Sequence, residues 1–484
     1  MSYYRSWRGR GGRYMPDMRP VNPLVQTKES PPPPLGHLVE AINLKELKNT
    51  GEEGDNHGIT ETELVASYNW ANQKAPKIIV PGRPRLWKPL EKPLQLEEDN
   101  GVYYRDNNSA FFPKHPLEPA IVSVMKMHPQ SLDIDIVGCN STIGNLLRFV
   151  QGTERSFRML VEVVGKTVHL IRRENSPKEQ ILGVRGFGHA FSEAYTTWTP
   201  DVRPSKSHHR ILKLRFGGLD LLVRHSADGY IEDEDEKTPS AEETPAAKNE
   251  DLTSLLEGLS IGPASDSSAD SEDLEVVEGG EITPQEAIFD LKTRSIKAIG
   301  KDTLGEELPR LWLARITKFI LAHHTRGKFD NVEVADVHDE VKEWEKSHQE
   351  DLGRLSALLH RIQAIALENE DTLLEIVRVD GGPLEVRKRL PDAGVAFSDE
   401  VKEKWLKWLG HEVEEPQEES DRYCDFYRDN YGDTHGDDHG DLYHDNYSDN
   451  YSDNYSENYS DRDSEEGDLT ACDAECGYCG KCRY

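Results

Sequence analysis

Three pieces between Arg185 and Lys292 decide the reading: RGFGHAFSEAYTTW at 185–198, RILKLRFGGLDLLVRHSADGY at 210–230, and AIFDLKTRS at 287–295, the last two separated by an acidic insert. The first places Glu193 at the end of an aromatic run punctuated by glycine. In the second, apolar residues alternate towards Asp228, the pattern of a strand that delivers a carboxylate to a sheet edge. The third is a short apolar strand carrying Asp290, Leu291 and Lys292. Two acids on separate segments plus an acid-x-Lys form a minimal kit for metal-assisted phosphodiester chemistry. Carboxylates hold Mg²⁺ or Mn²⁺, and an ammonium group offsets the negative charge that develops on phosphorus.

The formal charge of the 484-residue chain is −31, but it is local. Residues 229–282 hold 17 acids against 2 bases, and residues 411–484 hold 23 against 5, which leaves the rest close to neutral. A neutral folded part with two acidic appendages can still present a basic groove to nucleic acid. No apolar run approaches the length of a membrane span, and the N-terminus has no apolar core of a secretion signal. Five of the six cysteines lie in the acidic tail, so they give the core no disulfide framework, and a nuclear or cytosolic setting is expected.

Residues 1–60 read as a disordered tail. Arg5, Arg8, Arg10, Arg13 and Arg19 alternate there with Tyr3, Tyr4, Trp7 and Tyr14, a composition suited to single-stranded RNA, and a Pro-rich spacer follows at Ser30–Gly36. Residues 61–410 read as one domain. IDIVGCNSTIGNLLRFVQG (134–152) predicts a strand ending at Gly138, a polar cap at Asn140, Ser141 and Thr142, and a helix through Val150. The N–H groups at such a helix start suit either a phosphate or a simple cap. FRMLVEVV and TVHLIRRE, joined at Gly165-Lys166, predict a hairpin. EELPRLWLARITKFILAHHTRGKF (306–329) reads as a helix that buries Leu308, Leu311, Trp312, Ile316, Phe319 and Ile320, with Arg315 beside that face. Strands and helices without a regular βαβ rhythm predict an α/β (α+β) fold, a mixed sheet flanked by helices.

The insert at 229–282 cannot bury a core of its own, although Leu252, Leu255, Leu256 and Leu259 share a helical face that, as an alternative to the acidic tail, suits a protein partner. The tail at 411–484 repeats a Tyr/Ser/Asp/Asn unit and ends with Cys472, Cys476, Cys479 and Cys482, a spacing that can hold Zn²⁺ or part of an iron–sulfur site. It also contains Asp437-Asp438-His439-Gly440-Asp441, formally the diphosphate-binding motif of prenyl diphosphate synthases. No apolar helix surrounds it, so prenyl transfer, which needs an all-helical core, is the weakest reading.

The order of elements from Ile136 to Phe329 resembles the decapping exoribonuclease (DXO-like) family, whose core is of PD-(D/E)XK nuclease type. RGFGHAFSE is similar to the family's glycine, aromatic and glutamate motif, which implies a metal-ligand role for Glu193. VRHSAD is similar to its Glu-x-Asp strand, with Asp228 kept and Ser226 in place of the Glu. AIFDLKT is similar to its Glu-x-Lys motif, with Asp290 for the Glu, Leu291 offering a carbonyl and Lys292 orienting water. The phosphate-binding Arg of the family is missing at Asn140–Ser141, which leaves Arg224, Arg315 or the helix start to replace it, and Arg315 stands where a helical Gln is expected. The resemblance implies hydrolysis of RNA 5′ ends, by decapping, pyrophosphate release or 5′→3′ digestion, attenuated by the lost carboxylate. The alternative is a catalytically silent RNA-binding scaffold. Both imply that Glu193, Asp228 and Asp290 converge.

Overall fold

A computed structural model describes residues 28–47, 57–232, 273–369, 373–391 and 393–411, all of which belong to one compact unit. Two sheets organise it. The larger has eleven strands, in the order Leu38–Ile42, Leu384–Lys388, Leu374–Arg378, Phe157–Val164, Thr167–Arg173, Ile136–Cys139, Leu219–Ser226, Ser205–Phe216, Ile59–Ala71, Lys77–Gly82 and Glu275–Gly280. It is mixed: Ile136–Cys139 runs parallel to both of its neighbours, and Glu275–Gly280 runs parallel to Lys77–Gly82. The six-stranded sheet runs Lys328–Asp336, Lys318–Thr325, Ile288–Ser295, Gly229–Tyr230, Leu86–Trp87, Thr196–Thr197. Such mixed sheets flanked by helices are the α+β class expected from the sequence and leave no room for an all-helical core.

Helices cover both faces of the large sheet, so its central strands are buried on both sides and read as nearly continuous apolar runs. Alternate residues therefore feed different cores. Leu221 and Val223 join Ile143, Leu147, Leu355 and Leu359 of the helices Asn140–Val150 and Gln349–Glu368, whereas Leu222 joins Tyr68, Ile121, Val124 and Trp405. The expected hairpin at Gly165-Lys166 forms as read; the strand–helix unit forms too, but its strand runs on to Cys139, which is the helix N-cap, so that Asn140, Ser141 and Thr142 make up the first turn.

Three readings are corrected. The apolar run of residues 306–329 is not one helix. The helix Thr303–Ala314 stops at Arg315, whose φ of 55° is left-handed, and the Ile316 N–H closes back on the Leu311 carbonyl. β-Branched Ile316 and Thr317 then lead into the strand Lys318–Thr325, which places Phe319 and Ile320 in a sheet. Order also begins ahead of Glu61, since Leu38–Ile42 pairs antiparallel with Leu384–Lys388. Likewise, the far end of the insert, Glu275–Gly280, is a strand.

His169, fully buried on the Thr167–Arg173 strand, accepts a hydrogen bond from the Trp405 indole N–H at 3.1 Å through Nε2, while Nδ1 lies 3.3 Å from the Glu162 carbonyl. Burial pushes its pKa down to about 3, against the weaker opposite pull of the Glu162 and Thr167 carbonyls. The native ring is therefore neutral where an unfolded chain, with an imidazole pKa of about 6.5, takes up a proton. Protonation of the unfolded state lowers stability as pH falls from about 6.5 towards 3, with a slope of up to about 1.4 kcal/mol per pH unit from this group. Chemical denaturation between about pH 6 and 4 should show that slope in the wild type and a flatter one in His169→Gln.

Candidate functional site

Glu193 is placed by the helix Gly188–Tyr195. The Asp99 carboxylate accepts from the backbone N–H groups of His189 and Ala190, at 3.0 and 2.8 Å, and so caps the helix start. Phe191 and Tyr195, one turn apart and stacked at 4.1 Å, anchor the helix on a small core with Phe289, Leu291, Ile320 and Phe329. The spacing of that anchor turns Glu193 outward, and it is exposed.

Asp228 follows the strand Leu219–Ser226, and its Oδ2 accepts the Leu291 N–H at 2.7 Å. Next to it, Gly229 has no room for a side chain: a Cβ there would lie 2.4 Å from the Phe289 ring and 2.6 Å from the Arg85 carbonyl. The backbone of Arg85 approaches that closely because its carbonyl accepts from Tyr230 N–H at 2.8 Å. This contact brings the Arg85 side chain to the same place as Asp228.

Glu193 and Asp228 line one open cleft of about 320 Å³. Arg85, its guanidinium 4.8 Å from the centre of the Trp198 ring, lines it too, as does Lys206, whose ammonium stands 4.5 Å from the centre of the Phe111 ring. Burial lowers the Arg85 pKa, opposed by the charges of Glu193 and Asp228. Tyr103 stacks on His189 at 3.8 Å, and burial, followed by the charge of Asp99, raises its pKa. On the far wall the Ser207 hydroxyl lies 3.1 Å from His209 Nε2, and His208 Nδ1 lies 2.6 Å from Asn69 Oδ1. Burial holds His208 well below the usual imidazole range, helped by the charges of Arg210, His209 and His225, so its ring is neutral. Sequence reasoning missed Arg85, Lys206 and these histidines. Ser207-His208-His209 lies just ahead of the strand segment that was read, and Arg85 carries no motif of its own.

Asp290 and Lys292 do not line the cleft. Two residues apart on Ile288–Ser295, they share the face that meets the helix Thr303–Ala314, and each is 2% exposed. Arg310 donates to Asp290 Oδ1 and, through Nε, to Glu307 Oε2 at 3.1 Å, while Glu307 Oε1 lies 3.6 Å from Lys292 Nζ. Two acids and two bases thus form a buried, charge-balanced chain. The Glu307-x-x-Arg310 spacing puts an acid and a base one turn apart on the helix, but it carries no mark of their partners on Ile288–Ser295.

The remaining sequence candidates are dispersed. The start of the helix Asn140–Val150 is capped by its own residues, Thr142 Oγ1 both accepting from Cys139 N–H and donating to the Cys139 carbonyl at 2.9 Å. Asn140 Nδ2 lies 3.5 Å from the Arg310 carbonyl, and Ser141 Oγ 3.0 Å from Cys139 Sγ. Arg224 is buried and reaches the Pro116 carbonyl at 3.2 Å. Arg315 faces Glu345 at 4.0 Å. The leucine face at 252–259 and Cys472, Cys476, Cys479 and Cys482 lie outside the described residues.

Among the described residues, no three His, Cys, Asp or Glu side chains are gathered as a metal site. Glu193 and Asp228 share the cleft, but Asp290 is held by Arg310. Mg²⁺ is commonly held by one or two carboxylates completed by substrate phosphate and water, so the cleft fits one hard cation shared with a phosphate. A two-ion clamp asks for more anionic oxygen than the cleft walls carry.

Arg310→Met leaves Asp290 and Glu307 short of a buried counter-charge and should lower the unfolding free energy by about 3–5 kcal/mol. Adding Asp290→Asn should recover part of that loss, as measured by a double-mutant cycle in denaturant.

The model of the family described as domain of unknown function DUF8563 matches residues 51–378. No functionally curated protein matches the sequence. Solved structures similar to this chain include *S. pombe* Rai1 in complex with 3′-FADP, 11% identical, covering 72% of this chain and 99% of that one, with a TM-score of 0.47. *Candida albicans* Rai1 in complex with pU5 and Mn²⁺ is 9% identical, covering 77% and 100%, at 0.48. *K. lactis* Dxo1 in complex with manganese is 10% identical, covering 76% and 97%, at 0.40.

Proposed function

The chain belongs to the DUF8563 family, and we propose that this member is a hydrolase of RNA 5′ ends, acting in the Glu193–Asp228 cleft with a single Mg²⁺ or Mn²⁺ ion. The observation that carries the reading is the meeting, on one cleft of about 320 Å³, of two carboxylates with Arg85, Lys206 and the rings of Tyr103, Tyr104 and Trp198. Acids suit a cation, guanidinium and ammonium suit phosphate oxygens, and rings suit a terminal base. The sequence resemblance of RGFGHAFSE, VRHSAD and AIFDLKT to the decapping exoribonucleases supports the same chemistry.

In this reading Asp228, steadied by the Leu291 N–H, and exposed Glu193 would hold the cation, with the Leu291 carbonyl as a further donor. The ion supplies Lewis acidity towards a phosphoryl oxygen. Arg85 pairs with a second phosphate oxygen and Lys206 with the next phosphate along the strand. Ser207 and His209, already within hydrogen-bond distance, hold and pass the proton exchanged with the leaving oxygen. Asp290 and Lys292 are positioning residues: their pairing with Arg310 and Glu307 keeps the Leu291 backbone in register under Asp228. A nuclear or cytosolic setting, where RNA 5′ ends are found, is part of the same proposal.

The buried pairing of Asp290 and Lys292 favours a second reading, an RNA-binding scaffold of nuclease-like architecture without turnover. Incubation of 5′-triphosphorylated and capped RNA with Mn²⁺ separates the two. Hydrolysis by the wild type, reduced about 10–100-fold in both Asp228→Asn and Glu193→Gln, is the expected result. Binding of both RNAs with no release of product establishes the scaffold, and indifference of rate to both substitutions removes the cleft from the reaction.

A further inference from the structure

A second cavity, about 920 Å³ in volume, shares no lining residue with the cleft and carries seven arginines. They come from separate parts of the chain. The Asn140–Val150 helix contributes the face Ser141, Asn145 and Arg148, one turn apart, and the ends of the Phe157–Val164 and Thr167–Arg173 strands contribute Arg158, Arg172 and Arg173. The end of Leu374–Arg378 contributes Arg378. Guanidinium groups repel one another when crowded, so a fold gathers this many against one wall at a cost unless anions offset it.

Part of the charge is answered within the protein. Glu375, 1% exposed, takes Arg158 at 2.6 Å and Arg173 at 2.9 Å, Glu174 takes Arg172 at 2.6 Å, and Arg158 donates to the Pro33 carbonyl at 2.5 Å. Arg378 is met differently. It is 5% exposed, lies 4.8 Å from the centre of the Phe149 ring, donates Nη1–H to the Thr153 carbonyl at 2.6 Å, and leaves its Nε–H without a hydrogen-bond partner. Burial lowers its pKa, against the charges of Asp380 and Glu154 nearby. A buried guanidinium N–H on a cavity wall is a donor awaiting an acceptor.

The chain itself shows what kind of group the cavity accepts. Glu29, on the segment whose prolines 32–34 rim the opening, places a half-exposed carboxylate 2.9 Å from Arg105 Nη2 at the edge. We propose that this arginine-lined cavity is a binding site for nucleotide phosphates, Arg378 and Arg148 forming its wall, Arg155 its rim and Glu29 a resident competitor. The volume suits a nucleotide rather than a bare phosphate ion, and Phe157 with Pro32–Leu35 offers an apolar flank to a base. The phosphates belong either to a free nucleotide or to a strand of RNA. The site does not depend on hydrolysis in the Glu193–Asp228 cleft.

The test measures binding to the full-length protein by fluorescence anisotropy and calorimetry, with a 5′-phosphorylated oligouridylate and with ADP as probes. Arg378→Met and the rim variant Arg155→Glu should each weaken binding about tenfold, and Glu29→Gln should tighten it, with affinity falling steeply as salt rises. Circular dichroism of Arg155→Glu guards against loss of fold. Loss confined to the oligouridylate assigns the site to an RNA strand, and loss for ADP assigns it to a free nucleotide; either supports the proposal. Wild-type affinity for both probes in both arginine variants overturns it, as does loss of binding in Asp228→Asn with the arginine variants unaffected. An inactive wild type that still loses binding in Arg155→Glu leaves this site standing and removes only the hydrolase.

Discussion

A strand that carries Asp290 and Lys292 into a buried layer can fold only if the helix above it brings their opposites. Isolated charges in such a place would cost several kcal/mol each, so Glu307 and Arg310 are as necessary to the strand as its own apolar residues. The helix Thr303–Ala314 must therefore lie at one height and one rotation over Ile288–Ser295. Its left-handed stop at Arg315 then returns the chain into Lys318–Thr325, parallel and adjacent to that strand. The ion network thus fixes geometry more than it adds net stability.

The two faces of Ile288–Ser295 divide the labour. One side buries the charged chain, and the other sends Phe289 and Leu291 into the aromatic core with Phe191 and Tyr195. Leu291 N–H remains for Asp228, so the strand backbone joins the two regions. Because the Glu193 helix sits on the aromatic side and Asp228 is tied to the backbone, both cleft carboxylates are referenced to this one strand. A one-residue slip would exchange its faces, burying Leu291 among charges and exposing Asp290 to apolar rings.

Sequence alone could show elements whose pattern is local. The alternation in FRMLVEVV and TVHLIRRE, the glycine at their turn, and the strand-to-helix change at Cys139 all leave signals within a few residues. The helix bearing Glu193 left a weaker signal, because Gly186 and Gly188 read as loop and the Phe187, Phe191, Tyr195 spacing is short. The helix end at Arg315 was hidden because apolar residues continue at helical spacing through Ile316, Phe319 and Ile320, and the backbone φ that stops the helix has no fixed sequence mark. Partners were illegible. Nothing local says that Asp290 meets Arg310 rather than a cation, or that Arg85, from a segment far earlier in the chain, stands beside Asp228. The arginine cavity was invisible for the same reason, being assembled from positions between 29 and 380 that no single window spans.

The net charge of −31 also misdescribes what a ligand meets. The acids are concentrated at 229–282 and 411–484, while the described unit gathers arginines in one cavity and sets Arg85 and Lys206 in another. At physiological salt, charges beyond about 8 Å are largely screened, so a phosphate entering either cavity responds to the side chains that line it. Local composition of those walls, rather than the total of the chain, decides which ions they can hold. The presence of Glu29 at the mouth of the arginine cavity is then the most direct sign that an acid can compete there.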